Sequence, residues 1–411
     1  MSRTGKALTK AFYEFPARRN QFLQELQTTE TLKSLWAASK QDNYQKMNSI
    51  VTIPAPIKSK EDIYEEIKNS NPEILAVSLK WKQGIAFAKS LATFYKEGLS
   101  RVSQGRKLRR SILSNMKLIN QVDSRGNGLS IGIRNFKKLT LEMSQVLYIN
   151  DIQNSTKSQE FIKRENNKDN LPLFNLTRSE YQVLKRAPSN TNKIPLFAVL
   201  ALIFMESTPL LCYFVPEVAP STCVLPSILP SLWNVSASKK LDEIRSKRYD
   251  SNRLVDLSLK TAYNLPLDEA KVLAKSLRLV PRMLPSVLVP ELVVRRILQN
   301  YYNYLLVDNY YLSGANDNGN IWDLGEEELV IASLERNLIL DLKSDLKYIG
   351  EGKTLEERRV RKEEYLKNLR LRLLVFLVDF KNYNIGYLGV NHMLKYPIDE
   401  KVIAEWRDLQ W

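Results

Sequence analysis

The feature that most constrains this chain is an apolar stretch, Ile194 to Trp233, set inside an otherwise strongly basic sequence. Between Lys193 and Lys239 there is no Lys or Arg, and the only acids are Glu206 and Glu217. Pro195 to Val215 has the ~20 residues that a helix needs to cross a bilayer. Eleven of its side chains are Leu, Ile, Val or Phe. They favour insertion by roughly 3–6 kcal/mol, against a cost of about 3 kcal/mol for an acid near the centre. The margin is modest, and Ser207, Thr208 and Pro209 narrow it. A transmembrane segment over 194–216 is the expectation, with re-entrant insertion or burial in a soluble core as alternatives. Past it, Pro216, Pro220, Pro226 and Pro230 cannot continue a regular helix, so 217–250 reads as a Pro-rich connection and basic flank.

Glu206 is the candidate this segment singles out, together with Pro195, Pro209 and Pro216 that bracket it. An ionisable group at membrane depth needs a partner, a watery path or a proton. It is either an ion-coupling group or a protonated carboxyl bonded to a backbone carbonyl.

Composition sets the class. The 411 residues are 44% hydrophobic, rich in Leu and Lys and poor in Gly, which predicts an all-α fold. A net charge of +16 attracts polyanions such as RNA, anionic lipid or acidic protein surfaces. Two cysteines, Cys212 and Cys223, make neither a disulfide framework nor a Cys zinc site. With His392 the only histidine, Ser-His and Cys-His catalysis lack their usual base. The sequence argues against an enzyme and implies no cofactor and no metal.

Residues 1–20 hold five Lys or Arg, one Glu, and Leu8, Phe12 and Phe15 at helical spacing, as in a mitochondrial transit peptide or an ordinary amphipathic first helix. Residues 61–150 form a basic helical region. Between Lys80 and Lys117 it carries ten Lys or Arg against the single Glu97, with Trp81, Phe87 and Phe94 interleaved, a pattern that suits anionic lipid, RNA or a solvated basic face. Residues 151–175 read as a polar linker and 382–411 as a tail.

The C-terminal third, 251–381, reads as a helical domain. Asp323 with Glu326 predicts a capping box for a helix running to about Asn337, and Thr354 with Glu357 predicts another toward Phe380, with Leu366, Leu369, Leu373, Phe376, Leu377 and Phe380 as its apolar face. Pro290 suits the first turn of an earlier helix. Stretches starting at Leu267 and Leu324 share Glu at +2, Ser at +9 and Leu at +10, a weak internal repeat in register 57. Two motifs fail on spacing. Gly350 to Thr354 lacks the first glycine of a phosphate loop, and Gly314 to Gly325 lacks the first and last acids of a calcium loop.

Two groups of short motifs resemble the LETM family. Arg178-Ser179-Glu180, Lys185-Arg186, Pro195-Leu196-Phe197, Phe204-Met205-Glu206, Phe214-Val215-Pro216 and Pro220-Ser221-Thr222 are similar to its membrane segment and flanks. Ile321-Trp322-Asp323-Leu324, Glu326 to Leu329 and Leu334-Glu335-Arg336 are similar to its ribosome-binding domain. The family's C-terminal coiled coil and competent EF-hand are absent, so the chain resembles a short or divergent member.

The resemblance implies a single membrane-spanning helix followed by a LETM-type ribosome-binding domain facing the matrix from the mitochondrial inner membrane. Its partners would be the mitochondrial ribosome, inner-membrane lipid and further copies of the chain. Trp322, Asp323 and Arg336, with the basic Lys239, Lys240 and Arg245, are the ribosome-binding candidates. The function implied is ribosome binding that supports membrane-linked translation or ion homeostasis. The alternatives are a potassium/proton or calcium/proton exchanger component using Glu206, and a soluble helical RNA-binding protein.

Overall fold

The computed structural model describes residues 43–58, 60–70, 76–115, 136–156, 174, 176–204, 215–233, 235–250, 253–281, 284–285, 288–314, 319–352, 354–380 and 383–390. All regular structure among them is helical. The longer helices in chain order are α1 (Lys60–Ser70), α2 (Ala76–Asn115), α3 (Phe136–Thr156), α4 (Arg178–Phe204), α5 (Val235–Arg248), α6 (Leu254–Leu259), α7 (Leu267–Ser276), α8 (Glu291–Leu312), α9 (Glu326–Glu335), α10 (Leu342–Gly350) and α11 (Leu355–Phe380).

Local rules explain the best-defined elements. Thr354 Oγ1 accepts the Glu357 amide at 3.1 Å, fixing the start of α11, and Glu356 and Glu357 suit its positive N-terminus. The six apolar residues spaced along α11 are all buried and pack against α8 and α9. Pro290 is the N-cap of α8 rather than a first-turn residue.

One main core joins α3, α4, α7, α8, α9 and α11. Residues 43–53 thread through it. Asn48 Nδ2 donates to the Asp323 carbonyl at 2.7 Å while Asn48 Oδ1 accepts the Gly325 amide at 2.7 Å. The antiparallel pair α2 and α4 packs alongside. The Cβ of an alanine at Gly105 would lie 3.8 Å from that of Ala187, and Tyr95 stacks on Phe197 with ring centres 6.5 Å apart.

The capping box lies one element earlier than the sequence predicts. Asn320 caps the 3-10 turn Ile321–Asp323, its side chain accepting the Trp322 amide, and the Asp323 carboxylate accepts the Asn320 amide at 2.9 Å. Helix α9 starts three residues after Asp323, with Gly325 as N-cap. The acid that caps is Asp323, because Asn320 is the residue with the free extended backbone.

The internal repeat is a structural one, in register 59 rather than 57. Pro266 and Gly325 are both N-caps of ten-residue helices, and Glu269 and Glu328 occupy the same position in α7 and α9, both fully buried. Each helix ends on a non-glycine residue at positive φ, Arg278 at 57° and Asn337 at 53°. Each then closes with a six-to-one bond, Leu279 amide to Ala274 carbonyl and Leu338 amide to Ser333 carbonyl, both 2.9 Å. Identities alone favour register 57; the caps and the buried glutamates set 59.

The predicted membrane span of 194–216 is described only in part, since residues 205–214 lie outside the described residues. Helix α4 begins at Arg178 and runs through Pro188 and Pro195 to Phe204. Its first turns are locked in the core, with Arg178, Tyr181, Gln182 and Val183 buried. The described apolar part, Pro195 to Phe204, is about 15 Å long, half a bilayer core. Among the described residues no helix is long and apolar enough to cross a membrane. Glu206 and Pro209 lie outside the described residues, as do the transit-peptide reading of 1–20 and most of the linker and tail.

Candidate functional site

Helix α4 carries chemistry along its whole length, in three successive zones. The first is a buried charge network. Arg178 Nε bonds Asp308 Oδ1 at 2.9 Å, and its Nη1 reaches Glu328 at 3.2 Å. Arg186 contacts Glu328 at 2.5 Å, Lys185 holds Glu335 at 2.7 Å, and Arg336 bonds Asp308 Oδ2 at 2.6 Å. Tyr304 donates its hydroxyl to Glu335 at 2.6 Å, with the Lys185 ammonium 3.3 Å from its ring centre.

Burial alone would raise the Asp308 carboxyl, but the guanidinium groups of Arg178 and Arg336 override it and hold it well below the usual carboxylate range. Glu328 and Glu335 are likewise held down by their cations against the effect of burial. Lys185, desolvated more than Glu335 compensates, falls to about 8. Every acid here is engaged by a cation, so the network pins α4 to α8 and α9.

The second zone is a cavity of about 590 Å³ between α4, α9, α10 and the 215–233 connection. Its walls are largely apolar, including Leu229, Leu232, Val330, Ile331, Leu346 and Ile349. Cations gather on one side. Lys193 Nζ donates to the Ala219 carbonyl at 3.2 Å, and the Arg278 guanidinium lies 5.4 Å from the Trp233 ring centre. Burial and then the nearby Arg278 push the Lys193 ammonium down to about 8. Neither Lys193 nor Arg278 forms an ion pair with a described residue.

Asn190, one helical turn before Lys193, is 3% exposed. Its Oδ1 accepts the Ser221 amide and hydroxyl at 2.9 Å, which leaves its buried Nδ2 donor without a partner. Of the acids lining the cavity, Glu335 is held by the network and Glu326 by Lys362, while Glu327 stands on the first turn of α9, about 12 Å along the helix from Glu335. Glu217, beside the cavity, is near enough to act on both Lys193 and Arg278.

The third zone is the exposed end of α4. Leu202 is 76% exposed and Ile203 66%, with Leu196 and Val199 also half in solvent. Because α2 runs antiparallel, its exposed Trp81 and Ile85 fall toward the same end, among the exposed Lys80, Lys82, Lys89 and Lys96. From Ala76 to Lys96 there is no acid.

The family described as PNT1, pentamidine resistance factor domain, matches residues 47–314, well over half of the chain. The chain belongs to this family. No curated protein and no solved structure matches the chain.

Membership in the pentamidine resistance factor family corrects the LETM resemblance, and the LETM domain and ribosome-binding readings fall with it. The match begins where Met47 enters the core and covers the first of the two motif groups that carried the resemblance, Arg178 to Thr222; the second, Ile321 to Arg336, lies beyond it. Short Arg, Glu and Pro motifs misled for a physical reason. Arg178, Arg186, Glu328 and Glu335 occur where they do because they pair with one another inside this fold.

The residues singled out from sequence are scattered. Arg336 and Arg245 are fully buried, Arg336 on Asp308 and Arg245 on Glu269 and the Leu388 carbonyl. Asp323 caps its turn, and Trp322 packs against the core. Lys239 is exposed and pairs with Asp341 at 2.8 Å; Lys240 is exposed on the same helix. Pro195 is exposed within α4, and Pro216 opens the 3-10 turn Pro216–Val218. Of these only Pro216 reaches the cavity.

Sequence reading missed Asn190, Lys193 and Arg278. Lys193 carries one legible signal, as the last cation before the cation-free stretch. Arg278 carries none, because nothing local marks an arginine held at positive φ.

Proposed function

We propose that this protein works by binding rather than by catalysis, and that the shared end of α2 and α4 docks on an anionic membrane surface. The observation that carries the reading is the exposed apolar set Leu196, Val199, Leu202 and Ile203 beside an acid-free, Lys-bearing stretch of α2. Large side chains left in water beside cations match what an interfacial helix presents to lipid. Each lysine near an anionic leaflet contributes about 1 kcal/mol, so Lys80, Lys82, Lys89 and Lys96 together supply about 4 kcal/mol before any side chain enters the acyl region. The family's description names a resistance phenotype, and a phenotype fixes neither a ligand nor a reaction.

The test is co-sedimentation of the full chain with vesicles of phosphatidylglycerol mixed into phosphatidylcholine, against pure phosphatidylcholine. Binding is expected only to the anionic vesicles, falling with salt, and weakened about tenfold or more by Leu202→Ser with Ile203→Ser. Wild-type binding by that variant, or no binding at low salt, removes the reading. Salt-sensitive capture of a single-stranded RNA with no vesicle binding would assign the basic face to nucleic acid instead.

A further inference from the structure

A cavity of this size, about 590 Å³, with apolar walls and a few convergent polar groups is the usual form of a small-molecule site. On the side that holds Lys193 and Arg278 its unmet polar groups are donors; the one lining acid without an ion pair among the described residues, Glu327, lies on the first turn of α9. Lys193 and Arg278 sit close enough to repel each other; Glu217 lies near enough to offset part of this for both, but neither cation has a direct ion pair with a described carboxylate. Two like charges held together beside apolar walls are unfavourable in an empty cavity and become favourable when an anion lies between them. The Asn190 amide adds a third donor that the protein itself does not satisfy, although the residue is more than nine-tenths buried. Arg278 is held at φ 57°, a conformation that costs a non-glycine residue about 1–2 kcal/mol and persists where the surroundings impose it.

We infer that this cavity binds an anionic amphiphile, an acyl lipid ending in a carboxylate or phosphate, with Lys193, Arg278 and Asn190 on the head and Leu229, Leu232 and Ile331 along the chain. A free inorganic anion would leave the apolar walls unused. A neutral lipid would leave the two cations unpaired. A cationic ligand would meet charge of its own sign. The site shares no residue with the exposed turns of α4 at Leu202 and Ile203 and does not depend on their docking.

Binding is measured by displacement of cis-parinarate from the full chain in vesicle-free buffer. Oleate and oleoyl lysophosphatidate are expected to compete, oleyl alcohol about tenfold or more weakly, and inorganic phosphate not at all. The double variant Lys193→Met, Arg278→Gly should weaken oleate about tenfold or more while keeping the alcohol's affinity. Ile331→Trp, which fills the cavity from the α9 side, should abolish both, and circular dichroism and thermal melting establish that each variant is folded. Leu202→Ser with Ile203→Ser should leave displacement unchanged, so failure of membrane docking and failure of the cavity site read out separately. Equal competition by alcohol and oleate, displacement by phosphate, or wild-type oleate affinity in the folded double variant each overturns the assignment.

Discussion

Arg178 and Asp308, 130 positions apart in the chain, meet at 2.9 Å with neither side chain exposed to solvent. Asp308 also accepts from Arg336 and from the Gln182 amide at 2.7 Å, so one carboxylate bridges two buried guanidinium groups and ties α4 to α8 and to Arg336 at the end of α9. Removing its charge leaves Arg336 without an ion pair and Arg178 with Glu328 alone, a loss of about 3–5 kcal/mol. Asp308→Asn should therefore lower the midpoint of denaturant unfolding sharply while leaving its steepness unchanged. A midpoint equal to wild type would mean that water reaches this network.

Arg278 makes a different prediction, because its side chain and its backbone pull in opposite directions. Glycine adopts positive φ freely, whereas alanine keeps the strain and loses the guanidinium as well. Arg278→Gly should be more stable than Arg278→Ala by about 1 kcal/mol, and within about 1 kcal/mol of wild type, since the lost Trp233 stacking is offset by relief of Lys193. Equal stability of the two variants would show that the backbone at this position relaxes.

The pH dependence of the ligand-free protein follows from Lys185 and Lys193, both brought to about 8 chiefly by burial. An unfolded lysine keeps its proton to about pH 10.4. Between these values the unfolded chain binds more protons than the folded one, so stability rises with pH, by up to about 1.4 kcal/mol per pH unit for each lysine. Above about pH 10 the buried Tyr301 and Tyr304, whose hydroxyls are pushed up by burial, act in the opposite sense. Thermal melting from pH 7.5 to 10 should show the rise, and Lys193→Met should reduce it. A flat or falling profile would place both ammonium groups in contact with water.

Gly98 controls how closely the 215–233 wall of the cavity approaches α2. A Cβ there would lie 2.7 Å from the Thr222 carbonyl oxygen and 2.8 Å from Cys223 Sγ, and Thr222 Oγ1 already bonds the Gly98 carbonyl at 2.9 Å. Gly98→Ala should cost about 1–3 kcal/mol despite the higher helix propensity of alanine. Gly84→Ala on the same helix, where no atom lies within 4 Å, should instead stabilise by a few tenths to about 1 kcal/mol. Equal shifts for the two would remove the close approach as the cause.

What could be read in advance divides along physical lines. The helical class and the buried face of α11 were legible because side-chain spacing and an N-terminal threonine are local properties. The apolar stretch was legible as apolar, but hydropathy summed over a window cannot register that the same helix begins with Arg178 and Gln182 sealed in a core. Arg245 and Arg336 looked like surface cations because a sequence shows charge without its partner, and Glu269 and Asp308 are distant in the chain. The cavity was invisible for the same reason, since Lys193 and Arg278 converge only through tertiary packing.

Helix α4 is anchored near its start by four charged contacts and exposes Leu202 and Ile203 in its last described turn. A tug on Leu202 is therefore carried along one rod into Asp308, Glu328 and Glu335, with no hinge loop between to absorb it. Pro188 and Pro195, each lacking an amide hydrogen, are the two places where that rod can flex. They lie on either side of Asn190 and Lys193, so bending under load would change the shape of the cavity before it loosened the core.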